Sequence, residues 1–225
     1  MNYSAAPNLA VLCDFDGTIS QSDVLGVLYD EFAGPECQEL VKKWFQGEIS
    51  TPAEMQGCFA SMCATKAELE SALDPVQLDP TFPDFVGFCR ERGFALAVLS
   101  DGLYWYISYI LQRYGISDLK IYANEIEFTP QGMLIRSPWY RPTTPLRGTS
   151  KPAIVQQYQS EGYSVVFIGD GPSDVEAVEV ADIVFAKSRL VEYCQAKGVP
   201  FTPFNNFSDL MQHWQISTQA RGKAG

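Results

Sequence analysis

Leu9-Ala10-Val11-Leu12-Cys13-Asp14-Phe15-Asp16-Gly17-Thr18 is the stretch on which the fold turns. Residues 9–15 (LAVLCDF) form a short apolar run that ends in acids and a glycine, the pattern of a buried strand. Strands that are apolar throughout belong to parallel sheets covered on both faces, and in open sheets of this kind ligands bind beyond the carboxyl ends of the strands. Asp14 and Asp16, one residue apart on an extended chain, would point to opposite faces. Both can serve one site only if the chain turns at once, and Gly17 permits that turn.

Three further runs repeat the pattern. Residues 94–99 (FALAVL) lead to Ser100-Asp101-Gly102, residues 164–168 (SVVFI) lead to Gly169-Asp170-Gly171, and residues 182–185 (DIVF) make a shorter fourth run. Helical patterns at 83–92, 105–114, 152–161 and 173–181 lie between them, which predicts an α/β core with a Rossmann-like parallel sheet. Residues 22–80 read differently, as several short helices with breaks near Gly34-Pro35, residues 47–52 and Asp74-Pro75. They predict a small helical cap inserted after the first strand, with residues 1–21 and 83–225 forming the core and 22–82 the cap. Residues 121–128, the turn 129–132 and residues 133–135 predict a β-hairpin projecting from the core.

The chain has 225 residues, 46% of them apolar and 19% charged, enough for a full hydrophobic core. Sixteen basic against 27 acidic residues give a net charge of -11, which repels nucleic acid and anionic membranes. It also repels phosphorylated substrates, so a phosphate site would need a local cation, and a bound metal is the obvious supplier. No run reaches the roughly 18 apolar residues of a membrane span, and MNYSAAPNLA lacks the basic start of a signal peptide; a cytoplasmic protein is expected. The six cysteines (Cys13, Cys37, Cys58, Cys63, Cys89, Cys194) are scattered through apolar patterns and are expected to be reduced thiols. With His213 the only histidine, no zinc site is expected.

The candidate chemistry lies at the strand ends. Asp14 would present a carboxylate and Asp16 a proton donor and acceptor. Asp170 and Asp174, four apart around a helix start, suit Mg²⁺, which takes one or two carboxylates plus water and substrate phosphate. Ser173 and Asp174 also suit a plain helix cap. The hydroxyl of Ser100 with the adjacent backbone could hold a phosphate oxygen, and Lys151 could neutralise both phosphate and attacking carboxylate.

The order Asp14/Asp16, Ser100, Lys151, Asp170/Asp174 resembles the four motifs of the haloacid dehalogenase superfamily. The resemblance implies that Asp14 is the nucleophile of an aspartyl-phosphate route and that Asp16 is the acid and base. It implies that Ser100 and Lys151 hold the phosphoryl group, and that Asp14, Asp16 through its carbonyl, and Asp170 bind Mg²⁺ with Asp174 behind them. An acid at position 16 favours a phosphatase or mutase over a dehalogenase. The inserted cap and the hairpin after Ala123-Asn124-Glu125 resemble the phosphoserine phosphatase-like branch. Within that branch, CDFDGTIS with Ser22-Asp23, GTSKP at 148–152 and GDGPSDVEAVEVADIVFAK resemble the methionine-salvage phosphatases acting on 2-hydroxy-3-keto-5-methylthiopentenyl-1-phosphate. Phosphoserine phosphatases carry Glu where Asp23 stands and Gly-Gly where Asp101-Gly102 stands, while phosphocholine and phosphoethanolamine phosphatases often share the Asp. The resemblance thus places Asp23, Ser100, Asp101, Gly102 and Lys151 at the substrate.

Phe32, Trp44, Phe45 and Met55 are candidates for the inner face of the cap, and Tyr104 and Trp105 could also meet substrate. The expected partner is a small phosphate ester, with no nucleic acid or membrane, and the chain a monomer or homodimer. A phosphoryl-transfer mutase and a non-catalytic phosphometabolite-binding protein are the competing readings.

Overall fold

The computed structural model of the chain describes residues 8–222; the segment ahead of residue 8, which bears on the signal-peptide reading, lies outside them. Seven strands form one sheet: β1 (Leu9–Cys13), β2 (Ala95–Leu103), β3 (Lys120–Thr129), β4 (Gly132–Arg136), β5 (Ser164–Gly169), β6 (Ile183–Ala186) and β7 (Thr202–Pro203). Their order is β4-β3-β2-β1-β5-β6-β7, all parallel except β4, which closes the expected hairpin with β3. The chain builds outward from β1 to β2 and β3 on one side, then returns to lay β5 and β6 on the other. That reversal at β1 opens a crevice at the carboxyl ends of β1, β2 and β5, where a doubly wound sheet binds its ligand.

The period of two along β1 sets the layers. Leu9, Val11 and Cys13 join one apolar cluster with Phe85, Ile107 and Phe207, while Ala10 and Leu12 join a second with Ile154, Val155 and Leu190. The first cluster is covered by α5 (Phe82–Glu91), α6 (Tyr104–Arg113) and α10 (Phe207–Gly222). The second is covered by α7 (Lys151–Ser160), α8 (Val175–Val178) and α9 (Ser188–Lys197). The helix expected at 173–181 is shorter than its pattern. A 3₁₀ turn at Pro172–Asp174 precedes α8, because Asp174 folds back to accept from the backbone N–H groups of Asp170 and Gly171, each at 3.0 Å.

Between β1 and α5 lie four helices and no strand: α1 (Val24–Phe32), α2 (Glu36–Phe45), α3 (Thr51–Ala60) and α4 (Lys66–Ala72). The chain leaves and rejoins the core at one point, where Ser20 and Leu78 form an antiparallel bridge flanked by Gln21 N–H to Gln77 O and Asp79 N–H to Ile19 O. The α3 helix docks on the hairpin: the Gln56 amide donates to Met133 O and accepts from Ile135 N–H, both at 2.9 Å. It thereby satisfies backbone groups of edge strand β4.

The cysteine expectation needs correcting. Cys37 and Cys58 form a disulfide, with Cα atoms 4.7 Å apart, while Cys13, Cys63, Cys89 and Cys194 are free. Cys37 lies in the first turn of α2 and Cys58 in the last turns of α3, and the packing of these two helices brings together sulfurs 21 residues apart. Among the described residues, no helix is long and apolar enough to cross a membrane.

Candidate active site

The acidic strand end makes the immediate turn that two acids in one site require. Asp16 is still extended (φ -70°, ψ 123°), Gly17 is left-handed (φ 72°), and Ser20 N–H closes a wide turn onto Phe15 O at 2.9 Å. Gly17 is demanded twice over. Besides its φ, a β-carbon there would lie 2.6 Å from Asp170 Oδ2. The turn and the end of β5 therefore touch, and the Thr18 hydroxyl donates to Asp170 Oδ1 at 3.0 Å.

Lys151 lies beneath this contact, fully buried at the start of α7. Its ammonium donates to Asp14 Oδ1 at 2.7 Å and to Asp174 Oδ1 at 2.6 Å, and to the Ser173 hydroxyl at 3.3 Å. Burial alone would lower the lysine's proton affinity, but Asp14 and Asp174 together hold it above the ordinary value. Carboxylate oxygens of Asp14, Asp170 and Asp174 fall within 4.8 Å of one another. Burial, then the charge of Asp174, pushes the Asp14 carboxyl well up despite Lys151. The same two causes raise Asp170 to about 6 despite the Thr18 hydrogen bond. Asp14 and Asp174 are buried and Asp170 partly so, and with a single ammonium beside them the three acids carry an excess of negative charge that a divalent cation would balance. The all-oxygen donor set fits Mg²⁺. Both Asp174 oxygens are already taken, by Lys151 and by the two backbone N–H groups, so Asp174 fits behind the ion rather than on it.

Asp16 faces the crevice from the other side of the turn. The Tyr106 hydroxyl donates to its Oδ2 at 2.7 Å and Val24 N–H to its Oδ1 at 3.0 Å. Burial and the nearby charge of Asp23 raise Asp16 to about 7, against these two hydrogen bonds. Gly102 makes room for the arrangement, since a β-carbon there would lie 1.7 Å from the Tyr106 hydroxyl. Gly102 N–H also donates to Ser100 Oγ at 2.9 Å, fixing that hydroxyl at the cleft floor. Sequence reading missed Tyr106. A tyrosine on the buried face of α6 carries the same pattern as core, and the only signal was its place four residues after Gly102.

Asp101 plays a part its position in the sequence did not suggest. Its Oδ2 accepts from the Thr51 hydroxyl at 2.6 Å, and its Oδ1 accepts from Gly148 N–H, Thr149 N–H and the Asn124 amide. Both oxygens are thus engaged by protein donors, and one carboxylate joins the end of β2, β3, the loop before Lys151 and the lid helix α3. Thr51 in turn accepts from Trp44 Nε1 at 3.0 Å.

Three of the inserted helices, α1, α2 and α3, roof a cleft of about 690 Å³ whose floor includes Asp14, Asp16, Ser100, Asp101, Gly102, Asp170 and Ser173. Asp23 lines it too, while accepting from Gly26 N–H as the cap of α1. Of the apolar candidates, Trp44 and Phe45 line the cleft, whereas Met55 is buried in the main cluster and Phe32 packs against it. Trp105 donates to Glu70 and meets the Phe128 ring edge-on, and neither it nor Tyr104 borders the cleft. His213 meets the Phe185 ring. Glu54 and Tyr29, which the sequence did not single out, lie in the roof.

Comparison with known proteins places this arrangement in a family. The model of haloacid dehalogenase-like hydrolases matches residues 11–179. A 2-hydroxy-3-keto-5-methylthiopentenyl-1-phosphate phosphatase of Exiguobacterium sibiricum is 29% identical over 216 residues, covering 93% of this chain and 97% of the relative. One of the same name from Brevibacillus brevis is 27% identical, covering 91% and 94%. A solved structure of a phospho-aspartyl intermediate analogue of phosphoserine phosphatase superposes with a TM-score of 0.70 at 17% identity, covering 92% of this chain and 98% of its own. That likeness concerns the fold.

Proposed function

This chain belongs to the haloacid dehalogenase-like hydrolases, and from that premise we propose that it is a phosphatase working through Asp14, with the methionine-salvage ester as its substrate. The observation that carries the reading is the Lys151 ammonium, buried behind the cleft floor 2.7 Å from Asp14 and 2.6 Å from Asp174. A carboxylate attacks an anionic phosphate poorly unless nearby positive charge cancels the repulsion. Lys151 supplies part of that charge. The carboxylates of Asp14 and Asp170 and the backbone carbonyl of Asp16 would hold Mg²⁺. Bound there, the ion would supply the rest of the charge and polarise the phosphoryl oxygens.

In the first step Asp14 bonds to phosphorus, the ester P–O bond breaks, and Asp16 gives its proton to the leaving oxygen. In the second, Asp16 takes a proton from water, whose oxygen displaces Asp14 and frees inorganic phosphate. A carboxyl held at about 7 can serve in both directions near neutral pH. Ser100 Oγ and the neighbouring backbone receive the phosphoryl group, while Gly102 leaves room for the Tyr106 hydroxyl that holds Asp16.

The cleft supports the choice of ester. Leu25, Val41, Trp44 and Phe45 offer an apolar wall suited to a methylthio tail. Among the described residues lining the cleft, Arg189 is the one cation, and it meets the Phe45 ring at 5.9 Å; the lid has none to receive a substrate carboxylate such as that of phosphoserine. The acids Asp23, Asp30 and Glu54 favour, as a second reading, an amine-bearing ester such as phosphocholine or phosphoethanolamine.

Phosphate release from the salvage ester, phosphoserine, phosphocholine and p-nitrophenyl phosphate, with and without Mg²⁺, tests the proposal. The salvage ester should give the highest kcat/KM, chelation should abolish turnover, and Asp14→Asn should lower kcat by a factor on the order of 10³ or more. Retained activity in Asp14→Asn would overturn the chemistry; a preference for phosphoserine would overturn the substrate.

A further inference from the structure

Glu54 is an acid on the buried side of a lid helix with half of its hydrogen-bonding capacity unused. It is only 4% exposed, yet it borders the cleft. The Tyr29 hydroxyl donates to its Oε2 at 3.2 Å. Its Oε1 meets only the Cys58 sulfur at 3.8 Å, and a disulfide sulfur has no proton to give. No cation of the lid approaches it, and the nearby charges of Asp23 and Asp101 are of its own sign. Burial, the largest cause, and these like charges raise the carboxyl to about 7 against one neutral donor, so it keeps its proton in a large share of molecules near neutral pH. In that form it offers an O–H to a substrate oxygen, as a carboxylic acid kept neutral by its surroundings can, while the Tyr29 oxygen remains an acceptor.

We infer that the Glu54–Tyr29 pair is a recognition site for uncharged oxygen groups of the substrate, hydroxyl or keto, on the carbons next to the phosphate. It deepens the reading above and rests on it only for the chemistry at phosphorus. The pair and Asp14 line one cleft, so an ester whose phosphate lies at Asp14 extends its carbon chain into the space that the pair borders. Trp44 and Phe45 border the same space and suit the apolar remainder of such a chain. A site that hydrogen-bonds a substrate oxygen rejects analogues lacking it, because its own polar groups are then left unpaired.

The test compares kcat/KM of the full chain and of Glu54→Gln, Glu54→Ala and Tyr29→Phe on four esters. These are the salvage ester, dihydroxyacetone phosphate as a minimal hydroxy-keto ester, phosphoethanolamine and p-nitrophenyl phosphate. Glu54→Ala should raise KM for the two hydroxy-keto esters by roughly 10-fold more than for p-nitrophenyl phosphate. Glu54→Gln, which still donates and accepts, should recover most of that loss. Equal effects on all four esters, or a parent that prefers phosphoethanolamine and loses it in Glu54→Gln, would overturn the inference. If the salvage ester is not hydrolysed, the proposed substrate falls, while the ratio of dihydroxyacetone phosphate to p-nitrophenyl phosphate still decides the role of Glu54.

Discussion

A β-carbon on Gly102 would lie 1.7 Å from the Tyr106 hydroxyl and 2.8 Å from Asp16 Oδ2, so these three residues act as one fitted unit. The hydroxyl fixes the Asp16 carboxyl from a fully buried position, and Tyr106 does not line the cleft. Tyr106→Phe keeps the ring and removes that hydrogen bond. Because one such bond is worth about 1 kcal/mol, more to a charged group, kcat on p-nitrophenyl phosphate should fall roughly 10-fold, with little change in KM. An unchanged kcat would show that Asp16 is positioned without it. Glu54 allows a second prediction at this scale, on stability. Its folded value of about 7 lies above the ordinary 4.5, so the folded state holds the proton more tightly than the unfolded chain. The parent therefore loses stability as pH rises from about 4.5 to about 7, and Glu54→Gln, which cannot ionise, does not. At about 1.4 kcal/mol per pH unit, the variant should be more stable than the parent by roughly 3 kcal/mol at pH 8 and about equal at pH 4.5. Urea unfolding at both values measures this, and a constant difference would refute it.

At the scale of elements, β1, β2 and β5 were readable from sequence because each is buried on both faces and so is apolar without alternation. The motif residues at their ends were readable for a related reason: a parallel sheet sends every carboxyl end to the same edge, so Asp14, Ser100 and Asp170 had to converge. What had no local signature stayed hidden. Tyr106 looks like core, Glu54 like an exposed helix acid, and α9 and α10 follow no strong strand. The Cys37–Cys58 link depends on how α2 packs on α3, which no spacing along the chain reveals. The lid carries the consequence. Closing a loop of 21 residues removes chain entropy from the unfolded state worth about 3 kcal/mol in the entropy model. Reduction with dithiothreitol, or Cys37→Ser, should lower the melting temperature by several degrees, with Cys63→Ser as the control that should not. Equal melting with and without reductant would mean that the link contributes nothing.

For the whole molecule the dominant fact is charge: a net of -11 over the chain, with Asp14, Asp170 and Asp174 clustered near one lysine. An ion that binds the folded chain stabilises it by mass action. Millimolar Mg²⁺ should therefore raise the melting temperature, and Asp170→Asn should shrink that rise while itself stabilising the metal-free protein by relieving repulsion with Asp174. Scanning calorimetry with chelator and with Mg²⁺ reads both effects, and a melting point indifferent to Mg²⁺ would argue against the site.

The Ser20–Leu78 bridge means that the inserted helices begin and end at a single point on the core. A short link of a few residues could close that gap without moving any strand. We propose that the acidic floor and the roof are therefore separable, held together by Asp101, Gln56 and the hairpin. New preferences can arise by exchanging the roof while the floor stays as it is.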